Sequence, residues 1–185
     1  NLNVVRYSDG KKAREIIRKY ELYWTKPDGT NDENFEKFEV MLMNYEKLDI
    51  EDVQEIVNKF TWEYAIVDEA HRLKNRSTKK YLFIEGLLKS GIIKSILLMT
   101  GTPMQNSPSE IWGLLHLIDP ATFDDFEGFE KEFGNNENTE KLHQIIDPYM
   151  IRRVKKQVEK TIGTKEENII EVELSKSQRN LYRQA

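Results

Sequence analysis

"YAIVDEAHRLKN", residues 64–75, passes from four mostly apolar residues straight into two adjacent carboxylates and a histidine. A short apolar run that ends so abruptly reads as a strand buried in a parallel sheet. In an open parallel sheet the functional edge lies at the carboxyl ends of the strands, and Asp68 and Glu69 fall on that edge. A carboxylate at a strand tip is held rigidly enough to orient a hydrated magnesium ion, which keeps most of its waters and bridges nucleotide phosphates. Glu69, one residue on and pointing elsewhere, can position and polarise a water that attacks a γ-phosphate. His71 suits a hydrogen-bond relay better than metal binding. The competing reading of an isolated acidic pair is ordinary polar residues where a strand leaves the core.

A second polar strand end lies further along. "SILLMTGTPMQN", residues 95–106, closes an apolar run with hydroxyls, a glycine, a proline and amides. Gly101 permits a tight backbone path and Pro103 fixes the exit. Thr100, Thr102, Gln105 and Asn106 are then presented as hydrogen-bonding groups able to sense the neighbouring strand end. Alone this is also a well-capped strand–turn–helix connection. Two such ends separated by one helix make a sharper signal than either.

Around these motifs, apolar runs at 2–5, 40–43, 64–67 and 96–99 alternate with stretches of helical period. That alternation predicts an α/β fold with a parallel sheet flanked by helices. The spacing of Ile16, Ile17, Tyr20 and Tyr23 predicts a helix over 9–24, then a turn at Pro27–Gly29 and a polar surface insertion through Asn34. Ser77 is the expected N-cap of a helix carrying Leu82, Leu87 and Leu88, and Gly91 its stop. Ser107, Pro108 and Glu110 form a capping box for a helix whose Ile111, Leu114, Leu115 and Ile118 face inward until Pro120. Residues 124–147 read as acidic and irregular, with "FGNNENTE" as a loop. "YMIRRVKKQVEK" reads as a basic amphipathic helix, "NIIEVEL" as an alternating strand, and Ser175 with Gln178 as the cap of a last helix.

Composition narrows the classes. The 185 residues contain no cysteine, which excludes disulfides and thiolate metal sites. No window approaches the roughly 18 apolar residues of a membrane-spanning helix, so no membrane partner is expected. His71, His116 and His143 show no metal-ligand spacing. A net charge of −4 argues against a globally basic nucleic-acid binder but leaves room for a local basic face. The chain opens inside an apolar run and closes inside a helix-like pattern, and so reads as a portion of a longer protein.

The two motifs resemble those of the chromatin-remodelling ATPases of helicase superfamily 2, most nearly the chromodomain-helicase-DNA-binding branch. "DEAHRLKN" resembles helicase motif II and "LLMTGTPMQN" motif III. "NLNVVRYSDG" with "YELYW" resembles the segment after motif Ia, and "KFEVMLMNYE" the motif Ib strand. "LLHLIDPATF" is similar to the helix after motif III, "IIDPYMIRRVKKQVEK" to the basic brace region, and "KEENIIEVELSKSQRNLYR" to the passage towards a second lobe.

The resemblance implies a RecA-like first helicase lobe over residues 1–122, with a helical brace and connection towards a second ATPase lobe over 123–185. It implies Asp68 for magnesium with ATP, Glu69 for activation of the lytic water, and His71, Thr100, Gly101, Thr102, Gln105 and Asn106 for coupling nucleotide state to DNA grip. Asn44, Lys74 and Arg76 are candidate phosphate contacts. Where the family carries a pair of threonines in motif Ib, this chain has Met43 and Asn44.

Double-stranded DNA, nucleosomes with their histones, and the second lobe of the intact protein are the implied partners, in the nucleus. The implied activity is that of a translocase that repositions nucleosomes. No G-x-x-x-x-G-K-[ST] sequence occurs in the 185 residues, so the chain alone is expected not to hydrolyse ATP. The alternatives are a truncated non-catalytic module that binds DNA or protein through the lobe surface, and an unrelated nucleotide-binding α/β protein.

Overall fold

The structure is a computed structural model that describes residues 2–101, 108–135, 138–153, 168, 170 and 172–184. Its contacts divide the chain into two compact units, Asn1–Tyr149 and Met150–Ala185.

In the first unit, β1 (Val4–Arg6) pairs in parallel with β4 (Val40–Leu42), Val5 opposite Met41. Between them lie α1 (Lys11–Tyr20) and an antiparallel hairpin of β2 (Tyr23–Thr25) and β3 (Asn31–Glu36). A 3-10 turn (Tyr45–Lys47) and α2 (Glu51–Lys59) lead to β5 (Trp62–Val67). A second 3-10 turn (Ala70–Leu73) and α3 (Lys79–Lys89) then cross to β6 (Ile93–Leu98), which pairs in parallel with β5 from Trp62↔Ile93 to Val67↔Leu98. The helices α4 (Pro108–Ile118), α5 (Phe126–Phe133) and α6 (Thr139–Ile146) come next. Parallel strands flanked by helices are the α/β fold expected.

Strand alternation decides which face is covered. Val67, Ile96 and Leu98 pack on a core cluster of Leu73, Tyr81, Ile84, Leu114 and Leu117, contributed by the second 3-10 turn, α3 and α4. On the opposite face Tyr64, Ile66 and Leu97 are 70%, 64% and 51% exposed. A second cluster joins β1, α2 and the hairpin through Val5, Tyr7, Leu22, Tyr23, Val53, Ile56 and Phe60, with Ile17 of α1 packed against it.

Several local expectations are corrected. The helix expected over 9–24 stops at Tyr20, and Tyr23–Thr25 instead forms a strand against 31–36. Leu22 and Tyr23 are buried while Ile16 and Tyr20 are exposed, so the tyrosine that completed the helical spacing belongs to the next element. The turn at Pro27–Gly29 is present, with Gly29 at φ 85 and the Asp28 carboxylate accepting from the Thr30 amide at 2.9 Å. Beyond that turn the polar surface stretch expected through Asn34 forms β3, a largely exposed strand.

Thr78, not Ser77, caps α3: its side chain accepts from the Tyr81 amide at 3.3 Å, while the Ser77 hydroxyl donates to Asn75 Oδ1 at 2.7 Å. Gly91 ends that helix as expected, in the left-handed region at φ 74. Ile118, expected to face inward, is exposed, and so is Leu82 of α3.

The stretch read as irregular contains α5 and α6, which bury Phe129, Phe133, Leu142 and Ile146 at helical spacing. Abundant Asp, Glu and Asn masked that period. In the second unit, Ser175 and Gln178 do form a capping box, at 3.3 and 3.0 Å, opening α7 (Lys176–Gln184). The described residues among 168–174 carry no strand. Most of the expected basic helix, residues 154–160, and Ser107 lie outside the described residues.

One buried charge locks α1 to α2. Arg14, 5% exposed, donates to both carboxylate oxygens of Asp52 at 2.8 and 2.9 Å and to the Asp9 carbonyl at 2.6 Å. Removing one partner strands the other charge, so Asp52→Ala is expected to destabilise by about 3 kcal/mol in urea denaturation. The hydrogen bond from Arg14 holds the Asp52 carboxyl below its ordinary value. Its contribution is therefore complete above the unfolded carboxyl pKa of about 4 and is lost as pH falls through the lower folded value. Acidification below about pH 4 should lower the denaturation midpoint of the parent chain more than that of Asp52→Ala.

Candidate functional site: two adjoining strand tips

The ends of β5 and β6 are joined by backbone hydrogen bonds. Met99 N–H donates to the Val67 carbonyl at 2.9 Å, and Ala70 N–H donates to the Met99 carbonyl at 2.8 Å. This brings Asp68, Glu69 and Thr100 to one place at the carboxyl edge of the parallel pair. Ala70 and Leu73 are fully buried, so the 3-10 turn is pinned inward while both carboxylates stay exposed.

Asp68 Oδ1 accepts from the Glu69 amide at 2.9 Å. Its other oxygen has no hydrogen bond among the described residues. A fixed carboxylate with one free oxygen fits a magnesium ion that keeps most of its waters. Among the described residues no group of three metal-ligating side chains occurs, and a hydrated magnesium ion shared with phosphates does not require one.

Glu69 has φ 51 and ψ 47, the one non-glycine in the left-handed region among the described residues. The chain turns sharply there because Ala70 must reach both the core and the Met99 carbonyl. His71 Nδ1 lies 3.1 Å from Glu69 Oε2. That contact lacks hydrogen-bond geometry, since the same nitrogen is buried without a hydrogen-bond partner among the described residues. We read it as electrostatic proximity, with the ring beside the carboxylate and one nitrogen unused.

Thr100 is half-buried and Gly101 exposed. Gly101 is not in the left-handed region, and among the described residues nothing approaches within 4 Å of the Cβ it lacks. Thr102, Gln105 and Asn106 lie outside the described residues. Asn44, exposed at the end of β4, makes no side-chain cap bond. Lys74 Nζ pairs with Glu110 at 2.9 Å, and the Arg76 guanidinium stacks on Trp112 and Phe126 at 4.7 and 3.6 Å from the ring centroids.

Sequence reasoning missed the residues that brace the acidic turn. The Tyr45 hydroxyl donates to the Arg72 carbonyl at 3.0 Å, the Arg72 guanidinium lies over the Tyr45 ring at 5.8 Å, and Arg72 also pairs with Glu46. Burial pushes the Tyr45 hydroxyl up from its ordinary value, which keeps it a donor. Behind the turn, Gly113 lets α4 approach closely, since a Cβ there would stand 3.2 Å from the Lys74 carbonyl. The Tyr81 hydroxyl donates to the Gly113 carbonyl at 2.9 Å. No short-range pattern in the sequence signals these pairs.

This fold is that of one part of a solved SWI2/SNF2 ATPase core. The solved structure of the "Sulfolobus solfataricus SWI2/SNF2 ATPase core in complex with dsDNA" matches with a TM-score of 0.62 at 23% identity, over 84% of this chain and 29% of that one. The family model for the SNF2-related domain matches residues 1–185, and the chain belongs to that family.

Relatives include chromodomain-helicase-DNA-binding protein 7 of Homo sapiens, 40% identical over 98% of this chain and 6% of that protein. Chromodomain-helicase-DNA-binding protein 6 of Mus musculus is 38% identical over 98% of this chain and 7% of its own length. The chain thus spans a small part of the curated relatives it matches.

Left-handed backbone costs a non-glycine residue about 1 kcal/mol or more, and asparagine tolerates it best. Glu69→Asn is expected to equal or exceed the parent in urea denaturation, by up to about 1 kcal/mol. Glu69→Val, β-branched, should lose about 1–2 kcal/mol in the same measurement.

Proposed function

We propose that this chain is part of the first lobe of an ATP-dependent, double-stranded-DNA translocase that repositions nucleosomes in the nucleus. The observation that carries the reading is the union of the two strand tips, in which Met99 bonds both to Val67 and to Ala70. Asp68 is assigned to magnesium, which would supply charge neutralisation at the nucleotide phosphates. Glu69 positions and deprotonates the attacking water. The tie between the tips gives His71 and Thr100 a route for relating the nucleotide end to residues 100–106, where Gly101, Thr102, Gln105 and Asn106 are assigned to coupling.

Asn44 is proposed as a contact to the DNA backbone, where it would position without reading sequence. Lys74, with its charge engaged by Glu110, is a weaker candidate. Residues 1–122 are assigned to the lobe and 123–185 to the brace and the connection towards a second lobe. Hydrolysis requires a phosphate-binding loop that the 185 residues do not contain, so the activity is proposed for the intact protein. Histones and the second lobe enter this proposal through the family membership and the relatives.

In the intact protein, Glu69→Gln is expected to leave ATP binding nearly unchanged and to lower turnover by at least roughly a hundredfold, because the amide keeps shape but cannot take a proton. Asp68→Asn should weaken nucleotide binding only when magnesium is present. Equilibrium binding and steady-state hydrolysis on the same preparations check both. Gln105→Ala should preserve basal hydrolysis while reducing DNA-stimulated hydrolysis and nucleosome sliding by a larger factor. Equal losses in all three would remove Gln105 from the coupling assignment.

A further inference from the structure

Arg76 sits in an open groove of about 870 Å3 between α3 and the segment running from α4 into α5. Its guanidinium is held against the Phe126 ring at 3.6 Å and the Trp112 ring at 4.7 Å. Stacking of this kind covers the flat faces of a guanidinium and leaves its N–H edges outward. Among the described residues those N–H groups make no hydrogen bond and no ion pair.

Five of the neighbouring charged or titratable groups are paired among the described residues, and the exposed Asp124 carboxylate makes no ion pair with Arg76. Lys74 pairs with Glu110 at 2.9 Å, and Glu85 accepts from Lys89 at 3.0 Å and meets His116 Nε2 at 2.9 Å. Burial works against the Glu85 carboxylate, but those hydrogen bonds outweigh it and hold its pKa below the ordinary value. A second unpaired donor lies in the same lining: Nε1 of Trp112, a residue 3% exposed, has no partner among the described residues.

We propose that this groove is a docking site for a peptide segment of a protein partner that carries a single carboxylate between apolar residues, with that carboxylate received bidentately by Arg76. A preorganised guanidinium fork matches a planar carboxylate, and its order is already fixed by the two rings, so little freedom is lost on binding. The groove does not suit a duplex backbone. Glu85, Glu110 and Asp124 line it and repel a dense polyanion, whereas a single carboxylate can approach between them. Leu82, exposed on the groove wall, offers an apolar neighbour for the flanking side chain of the peptide.

The test uses the full 185-residue chain and a fluorescein-labelled hexapeptide, Gly-Ala-Leu-Glu-Leu-Ala, read by fluorescence anisotropy. Saturable binding is expected, weakened at least about tenfold when the peptide glutamate is replaced by glutamine, since a charge-assisted bidentate bond is lost. Arg76→Lys should weaken it similarly, because an ammonium cannot supply the fork. Phe126→Leu should weaken it severalfold by freeing the guanidinium.

Absence of binding, equal binding of the two peptides, or an unchanged affinity in Arg76→Lys would overturn the proposal. Displacement of the peptide by a short blunt DNA duplex, lost in Arg76→Lys, would also overturn it and make the site a phosphate contact. The glutamate-to-glutamine exchange in the peptide needs no protein variant, so its result is independent of any effect of a substitution on folding.

Discussion

Met99 is the hinge-pin of the candidate site. Its amide donates to Val67 and its carbonyl accepts from Ala70, so the residue that follows β6 also dictates where the chain goes after β5. Everything distinctive about the acidic turn stems from that constraint. Ala70 has to be within hydrogen-bond reach of β6 and inside the core at once, and it is fully buried. The chain can meet both demands only by turning at Glu69, which is driven into the left-handed region at φ 51. A local cost of about 1 kcal/mol is small beside the burial of Ala70 and Leu73 that depends on it. The two carboxylates are thereby left outside on a backbone that cannot swing.

The same stretch is held residue by residue by different parts of the unit. Ala70 is tied to the end of β6, Arg72 to the 3-10 turn at 45–47, and Leu73 to the core cluster. Lys74 is tied to α4 through Glu110, and Arg76 to α4 and the start of α5 through aromatic rings. A shift of the acidic turn would therefore strain contacts to several elements at once. The turn with the strand it leaves behaves as one rigid piece, which is what a preorganised carboxylate pair needs.

The strand ends were legible because an apolar run stopped by charge is a local pattern, and Asp68, Glu69, His71 and Thr100 could be read as neighbours of such ends. The braces were not legible. Tyr45 meets Arg72, and Trp112 and Phe126 meet Arg76, across separations that no window of periodicity spans. Elsewhere the errors have specific physical origins. Tyr23 fits a helical spacing with Ile16 and Tyr20, yet hydrogen bonding across the Asp28–Gly29 turn claims it for a strand. Phe129, Phe133, Leu142 and Ile146 have the spacing of buried helix faces, but the acidic residues between them dominate the composition and hide it. Ser77 lost the capping role because its hydroxyl is engaged by Asn75, which leaves Thr78 to meet the Tyr81 amide.

Coverage of the β5–β6 pair is one-sided, and this bears on how the site is held. Val67, Ile96 and Leu98 pack beneath α3 and α4, whereas Tyr64, Ile66 and Leu97 carry the apolar character of a covered face but are exposed in this chain. Parallel strands are ordinarily buried on both faces, and these two have the composition for it. The ties that fix the acidic turn all come from the covered side or from the strand edge: Leu73 and Lys74 from beneath, Met99 from the neighbouring strand, Tyr45 from the turn after β4. None uses Tyr64, Ile66 or Leu97. The geometry of Asp68 and Glu69 is thus set by interactions within the chain itself, and whatever covers the opposite face adds stability to the sheet without being required to shape its tip.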